Sequence, residues 1–323
     1  MTTNDIHSIL KSEDRFIIVT HVNPDGDAVG SLLAMHLALR EMGKKSWPVS
    51  SEKIPDLYCF LPGLDDILTD TDQLATIKPD WIISLDVATE DRISGNISRF
   101  RETTQLINID HHATNPHYGQ LNLIDHSATS TAELVFQVLT KAGYKLSVDV
   151  GKCLYTGLVT DTGCFRFSGV NTQTMNLAAR LLEPGFDSYE ITRLLYEEYP
   201  LSRLELERLL LSRIEIFLNG SIVVSTLNYE DFQRVGAPLS DGENLVDRLR
   251  ENRGVEAGIL MTQISDEIVR VSFRSKGLVD VSAIAASFGG GGHRRAAGLR
   301  SNLPLDELKE KILRTIEKTI SES

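Results

Sequence analysis

Three short apolar runs constrain this chain most: Phe16-Ile17-Ile18-Val19, Trp81-Ile82-Ile83-Ser84-Leu85 and Leu106-Ile107-Asn108-Ile109. None alternates apolar with polar, so each reads as a strand buried on both faces, the pattern of a covered parallel sheet. Each leads into a carboxylate or an imidazole. His21 follows the first run, Asp86 the second and Asp110-His111-His112 the third. Gln120 to Ile124 alternates as a fourth strand. Ala28 to Met42, Thr131 to Ala142 and Val148 to Thr160 read as helices, and Gly43 can end the first. This order predicts an α/β fold with a mostly parallel sheet and helices on both faces. Ligands of open α/β sheets bind beyond the carboxyl ends of the strands. The polar residues at the three strand ends are therefore expected on one rim.

Burying Asp110 and two imidazoles is costly unless something pairs with them, and a metal ion is the simplest partner. Other segments offer further ligands: His21-x-Asn23-Pro24-Asp25-x-Asp27-x-x-Gly30-Ser31, Asp86, and Thr160-Asp161-Thr162-Gly163. Each has a plainer reading. The first holds an Asx-turn and helix cap, Asp86 and Asp161 are ordinary structural carboxylates, and Asp110 to His112 open a polar loop. A cap explains one aspartate of the first segment but not His21 and two. Pro24 and Gly26 shape the turn, and Gly30 is expected to let the helix approach the sheet. Together His21, Asp25, Asp27, Asp86, His111 and Asp161 form a nitrogen and oxygen donor set without sulfur. That set suits Mn²⁺ and is tolerated by Zn²⁺. Two such ions ~3.5–4 Å apart polarise a phosphoryl group and activate a bridging water, which attacks as hydroxide. No Ser-His-Asp or Cys-His motif is visible, and the Gly-Lys-Ser/Thr of a Walker A loop is missing.

The second half reads differently. Tyr189 to Phe217 is helical, broken at Glu198-Tyr199-Pro200, with Leu201 to Ile216 as a connecting helix. The domain reading is 1–195 catalytic, 196–220 helical linker and 221–323 a smaller α/β domain. There Ser221 to Ser225 reads as a strand. Glu256 to Ile264 and Glu267 to Phe273 read as an antiparallel pair, and Val279 to Phe288 and Leu305 to Ile316 as helices. Gly289-Gly290-Gly291-Gly292-His293-Arg294-Arg295 follows the first of these helices. Four glycines leave backbone N–H groups open to an anion. A flexible linker is the plainer reading, but the flanks are apolar. Arg274 and Lys276, at a strand end, add cations suited to phosphate or base.

The net charge of −12, from 33 basic and 45 acidic residues, argues against long duplex nucleic acid but leaves room for a small anionic ligand. No apolar run reaches the ~18 residues of a membrane span. Met1-Thr2-Thr3-Asn4-Asp5 lacks the basic and apolar regions of a signal peptide. Cys59, Cys153 and Cys164 show no pairing pattern. A cytoplasmic protein without a membrane partner is expected.

In this order the motifs resemble those of the DHH phosphoesterases of the DHH–DHHA1 type, most of all the NrnA-like nanoRNase/pAp-phosphatase branch. The likeness covers nearly the whole chain. It rests on His21-Val22-Asn23-Pro24-Asp25-Gly26-Asp27, Asp86, Asp110-His111-His112, Thr160-Asp161-Thr162-Gly163 and Gly289 to Gly298. The resemblance implies a DHH domain and a smaller DHHA1 domain with the active site in the cleft between them, and two divalent ions, usually Mn²⁺. By position, His21, Asp25 and Asp86 would hold one ion, and Asp27, Asp86, His111 and Asp161 the other, with Asp86 shared. His112 would face the scissile phosphate as charge stabiliser or proton donor, and Asp110 would orient an imidazole. Arg274, Ser275, Gly290, Gly291, Gly292, His293 and Arg294 would bind the nucleotide. Such relatives degrade short single-stranded RNA and dinucleotides and remove the 3′-phosphate of 3′-phosphoadenosine 5′-phosphate (pAp). Others cleave cyclic-di-AMP or the linear dinucleotides from it. A homodimer is compatible with the resemblance. Family II pyrophosphatases share the rim but not the glycine motif. A non-catalytic nucleotide-binding protein is the reading from a different class, and the complete ligand set argues against it.

Overall fold

In the computed structural model the described residues are 3–69 and 71–321. Met1 and Thr2, where the leader reading begins, lie outside them. The chain divides into two compact units, Met1–Glu198 and Tyr199–Ser323.

The N-terminal unit runs α1 (Thr3–Ser12), β1 (Arg15–Val19), α2 (Gly26–Glu41), β2 (Lys45–Val49), β3 (Trp81–Leu85), α3 (Ser98–Arg101), β4 (Gln105–Asp110), β5 (Leu121–Ile124), α4 (Thr131–Lys141), α5 (Val148–Asp161), α6 (Thr172–Leu182) and α7 (Ser188–Tyr196). Its five strands form one sheet in the order β2-β1-β3-β4-β5, parallel throughout. Successive residues of the apolar runs feed two cores. Phe16, Ile18, Ile83, Leu85, Ile107 and Ile109 pack against α2, α4 and α5. Ile17, Val19, Ile82 and Leu106 pack on the other side. Helices thus flank both faces, those of the far side being the shorter. The far side is capped by short pieces, with Ile97 and Phe100 around α3 and Leu74 in a brief 3₁₀ turn. Gly30 packs not on the sheet but on α5, where an added Cβ would lie 2.4 Å from the Cys153 carbonyl oxygen.

The C-terminal unit runs α8 (Leu201–Ser212), β6 (Glu215–Phe217), β7 (Ile222–Leu227), α9 (Tyr229–Val235), α10 (Val246–Arg250), β8 (Ala257–Gln263), β9 (Val269–Ser275), α11 (Val281–Ser287), β10 (Gly291–His293), β11 (Ala296–Ser301) and α12 (Leu305–Ser321). Its six-stranded sheet has the order β10-β11-β9-β8-β7-β6. Only β7 and β8 pair in parallel. One face packs on α11 and α12. The other packs on α8, α9 and α10 through Leu206, Leu210, Phe232 and Leu249. Two readings change here. The helix expected to reach Ile216 stops at Ser212, and Glu215–Phe217 pairs with β7 instead. The segment read as a linker supplies α8, whose leucines belong to this unit's core.

A partly buried ion pair of this unit gives a stability prediction. Asp231, 4% exposed, takes a two-pronged contact from Arg213 and accepts the Asn228 N–H at 2.8 Å. Burial opposes its charge, but Arg213 and Asn228 outweigh it and hold the carboxyl below its ordinary value. Asp231→Asn should cost about 2–4 kcal/mol at pH 7. A depressed folded value means the stabilisation is complete above the ordinary carboxylate range and is lost as pH falls through it. The gap between wild type and variant in urea unfolding should therefore narrow at pH 3. A gap that stays constant between pH 7 and pH 3 would rule this out.

Among the described residues no helix is long and apolar enough to cross a membrane.

Candidate metal centre

The anticipated ligands gather where the parallel strands end. His21 lies just past β1 and is 8% exposed, and Asp86 follows β3 and is 2% exposed. Asp86 adopts a left-handed backbone (φ 62°), a conformation an aspartate tolerates better than most residues. Asp25 and Asp27 open α2. The helix begins two residues earlier than expected, with Asp25 as its cap: Oδ1 accepts the N–H groups of Asp27 and Ala28, both at 3.1 Å. The plain cap reading of Asp25 thus holds alongside its place in the cluster. Asp161 is the last residue of α5.

Asp27 is fully buried against the first turn of α4. Its Oδ2 accepts Thr131 N–H at 2.6 Å, and its Oδ1 accepts Ala132 N–H at 2.9 Å and the Ser31 hydroxyl at 3.3 Å. The positive end of a helix favours a carboxylate there. The space exists because residue 157 is glycine: a Cβ would stand 2.7 Å from Asp27 Oδ1 and 2.9 Å from the Ala132 methyl. Thr131 also reaches Asp86, donating its hydroxyl to Oδ1 at 3.0 Å.

The imidazoles are oriented in two ways. His21 Nδ1 donates to the Val22 carbonyl at 2.9 Å, and His111 Nδ1 to that of Ala128 at 3.4 Å. A carbonyl only accepts, so both rings direct Nε2 inward. His21 Nε2 stands 3.6 Å from Asp86 and 3.9 Å from Asp25. His111 Nε2 stands 3.6 Å from Asp86 and 3.1 Å from Asp161. This is the usual posture of a metal-bound histidine. His112 differs: its Nδ1 donates to Asp110 Oδ1 at 2.7 Å. Asp110, fully buried, also accepts the His111 N–H at 2.9 Å and the Asn115 amide at 2.7 Å. Asn115 is tied in turn to Val87 O and Asn108.

Three donor groups arise on this rim: His21, Asp25 and Asp86; Asp27, Asp86 and His111; and Asp86, Asp110 and His112. Asp86 belongs to each. Crowding sets the charges. Burial opposes ionisation of Asp86, yet the three imidazoles hold its carboxyl well below the ordinary range. Burial pushes Asp27 well up, and Asp86 and Asp161 push it further. Burial also opposes charge on His21, but Asp86 and Asp25 outweigh it and push it up to about 9. For His111 burial is likewise outweighed, by Asp161, Asp86 and Asp27, which raise it well above its ordinary value. Buried carboxylates thus rely on protonated imidazoles for countercharge. A divalent cation supplies the same countercharge to the same oxygen and nitrogen donors, so the residues fit such an ion.

The other anticipated residues lie in the C-terminal unit. Arg274 Nη1 donates to Phe273 O, its Nη2 donates to Asn244 Oδ1 at 3.2 Å, and its Nε stands 3.7 Å from Asp247. Ser275 is fully buried, its hydroxyl donating to the Arg294 carbonyl at 3.4 Å. The glycine run is not an open loop. Gly290 N–H is taken by Ala285 O, and Gly291–His293 pairs with β11 in a tight hairpin turning at Arg294 and Arg295. Gly290 and Gly292 are required sterically, since a Cβ would lie 2.3 Å from Gly298 O and 2.6 Å from Ala296 O. His293 and Arg294 are exposed.

Sequence reasoning passed over Thr131, Asn115 and Gly157. Thr131 opens an apolar helix after Ser130, a cap signal, but its contact with residues 27 and 86 is set by the fold. Asn115 stands three residues after His112, and only its burial gives it a role.

Comparison with known proteins agrees with the geometry. Residues 15–158 match the model of the DHH family, N-terminal domain, and residues 219–322 that of the DHHA1 domain. A "Bifunctional oligoribonuclease and PAP phosphatase NrnA" of Thermus thermophilus is 33% identical over 98% of this chain and 94% of its own. A protein of the same name from Bacillus subtilis is 31% identical over 88% of each. Among solved structures, an exopolyphosphatase-related protein from Bacteroides fragilis superposes with a TM-score of 0.87 at 27% identity. It covers 99% of this chain and 95% of its own.

Proposed function

This chain belongs to the DHH family, with a DHHA1 domain, and from that premise we propose that it hydrolyses short oligoribonucleotides to mononucleotides and removes the 3′-phosphate of pAp. It is a hydrolase of the phosphoesterase kind, a metal-dependent class. Two divalent ions, Mn²⁺ by donor type, are assigned to His21, Asp25 and Asp86, and to Asp27, Asp86, His111 and Asp161. When bound, such ions provide Lewis-acid activation of a phosphoryl oxygen and of water. The observation that carries this reading is the pair of imidazoles, His21 and His111. Each is held at Nδ1 by a backbone carbonyl and directs Nε2 at the shared Asp86.

The chain's own residues do the rest. Thr131 fixes Asp86, and the first turn of α4 fixes Asp27. His112, steadied by Asp110, is assigned to the scissile phosphate, where it stabilises charge or donates a proton to the leaving oxygen. Arg274, at the end of β9, and His293 and Arg294 contact the nucleotide, while Gly290 to Gly292 shape the hairpin that presents the latter two and Ser275 ties β9 to it.

Purified protein with Mn²⁺, tested side by side on pAp, pApA, a five-mer RNA, cyclic-di-AMP and pyrophosphate, checks this. Turnover of pAp, pApA and the five-mer is expected, abolished by EDTA and restored by Mn²⁺. Turnover of cyclic-di-AMP alone, or of pyrophosphate alone, would overturn the assignment.

A further inference from the structure

Asp86, on which the rim depends, has an uncommon backbone. It is left-handed (φ 62°), and such a conformation persists in a residue other than glycine only where its surroundings hold it. One side of the hold is the sheet, since Asp86 N–H donates to Ile109 O at 3.0 Å. The other side is the carbonyl of the next residue, Val87, which is fully buried. Two side chains donate to that oxygen, the Asn115 amide and the Tyr118 hydroxyl, both at 3.1 Å.

The direction of each bond is fixed. A carbonyl only accepts, and a tyrosine hydroxyl has one proton to give. The Tyr118 proton therefore goes to Val87 O, and the 2.8 Å contact between Tyr118 and Ser84 runs from the serine hydroxyl to the tyrosine. Ser84, fully buried on β3, thus steadies Tyr118, and Tyr118 steadies residue 87. A local turn brings the tyrosine there. Asn115 Oδ1 accepts the His117 N–H at 2.9 Å, and His117 is itself left-handed (φ 60°), so the chain turns back toward the end of β3.

We propose that Tyr118, supported by Ser84, is a positioning residue for Asp86: its hydroxyl clamps the Val87 carbonyl and so holds the Asp86 carboxylate where the two metal sites share it. The inference rests on the metal assignment made above. Backbone conformation sets where a side chain points. Rotation about residue 86 would turn its carboxylate away from His21 and His111, each 3.6 Å away. Asn115 grips the same carbonyl but also holds Asp110, so its loss would disturb His112 as well. Among the described residues the Tyr118 hydroxyl is hydrogen-bonded only to Ser84 and Val87, which makes it the cleaner probe.

Tyr118→Phe keeps the ring and removes only the hydroxyl. The dissociation constant for Mn²⁺, measured on the apoprotein from the paramagnetic resonance signal of free Mn²⁺, should rise about tenfold, the usual scale for loss of a group that orients a metal ligand. Half-maximal activity on pAp should need about ten times more Mn²⁺. Tyr144→Phe is the control for a merely structural role. Its hydroxyl is also hydrogen-bonded, to Glu41 and Ser147, but it follows the far end of α4, a helix length of about 16 Å from Thr131. Whatever it costs in thermal stability, Tyr144→Phe should leave the Mn²⁺ constant unchanged. An unaltered Mn²⁺ affinity in Tyr118→Phe, or an equal change in Tyr144→Phe, overturns the clamp. If wild type turns over none of the substrate panel yet binds Mn²⁺ with an affinity that Tyr118→Phe weakens, the clamp stands and the proposed activity fails. A wild type that binds no Mn²⁺ overturns both.

Discussion

Asp86→Asn is expected to lower kcat on pAp, dinucleotide and five-mer alike by at least about a thousandfold, a loss of about 4 kcal/mol of transition-state stabilisation. The reason is its place rather than its charge alone. Asp86 enters all three donor groups formed by residues of the N-terminal unit alone. Its oxygens lie 3.6 Å from both His21 and His111. Asparagine keeps the size and an acceptor for the Thr131 hydroxyl, so the fold should survive, with an unchanged far-ultraviolet dichroism spectrum. One neutral amide oxygen then stands where two carboxylate oxygens faced both donor groups. The bound Mn²⁺ per chain, counted by elemental analysis after dialysis, should fall with the activity. Full metal content or substantial turnover in this variant would remove Asp86 from its shared position.

The rim itself was legible because parallel strands buried on both faces write themselves as apolar runs, and each run here stops at or beside a candidate ligand. His21, Asp86 and Asp110 could be placed with no knowledge of helix packing. The residues that hold the ligands could not. Asp27 is gripped by backbone N–H groups of residues 131 and 132, over a hundred positions away. No local pattern encodes that contact. The role of Gly30 was misread for the same reason, since only the crossing of α2 and α5 shows that Cys153 is what it must clear. Strand β2 escaped notice because Lys45-Ser46-Trp47-Pro48-Val49 is an edge strand, where a proline is tolerated and the apolar run is interrupted. The glycine run showed the reverse failure. Its composition announced an anion loop, whereas two of its glycines are demanded by the close approach of β11.

His112 carries the other large effect. The three histidines of the rim are not equivalent: His21 and His111 give Nδ1 to a carbonyl, whereas His112 gives it to the buried carboxylate of Asp110. Burial opposes charge on His112, but Asp110 and Asp86 outweigh it and raise its pKa. An imidazole steadied in this way is built to stabilise negative charge or pass a proton. Removing such a group typically costs about a hundredfold to a thousandfold in rate. His112→Ala should therefore lose about that much kcat, keep KM within a few fold and retain its full complement of Mn²⁺. Metal retention is the deciding readout, because His112 also stands with Asp86 and Asp110 in a donor group that could itself hold an ion. Loss of one ion per chain would make His112 a ligand instead of a partner of the phosphate. Asp110→Asn separates the two further. It leaves His112 in place but weakens the hold on Nδ1, so kcat should fall less than in His112→Ala, and the two losses should not add in the double variant. Additive losses would mean that Asp110 acts on something other than His112.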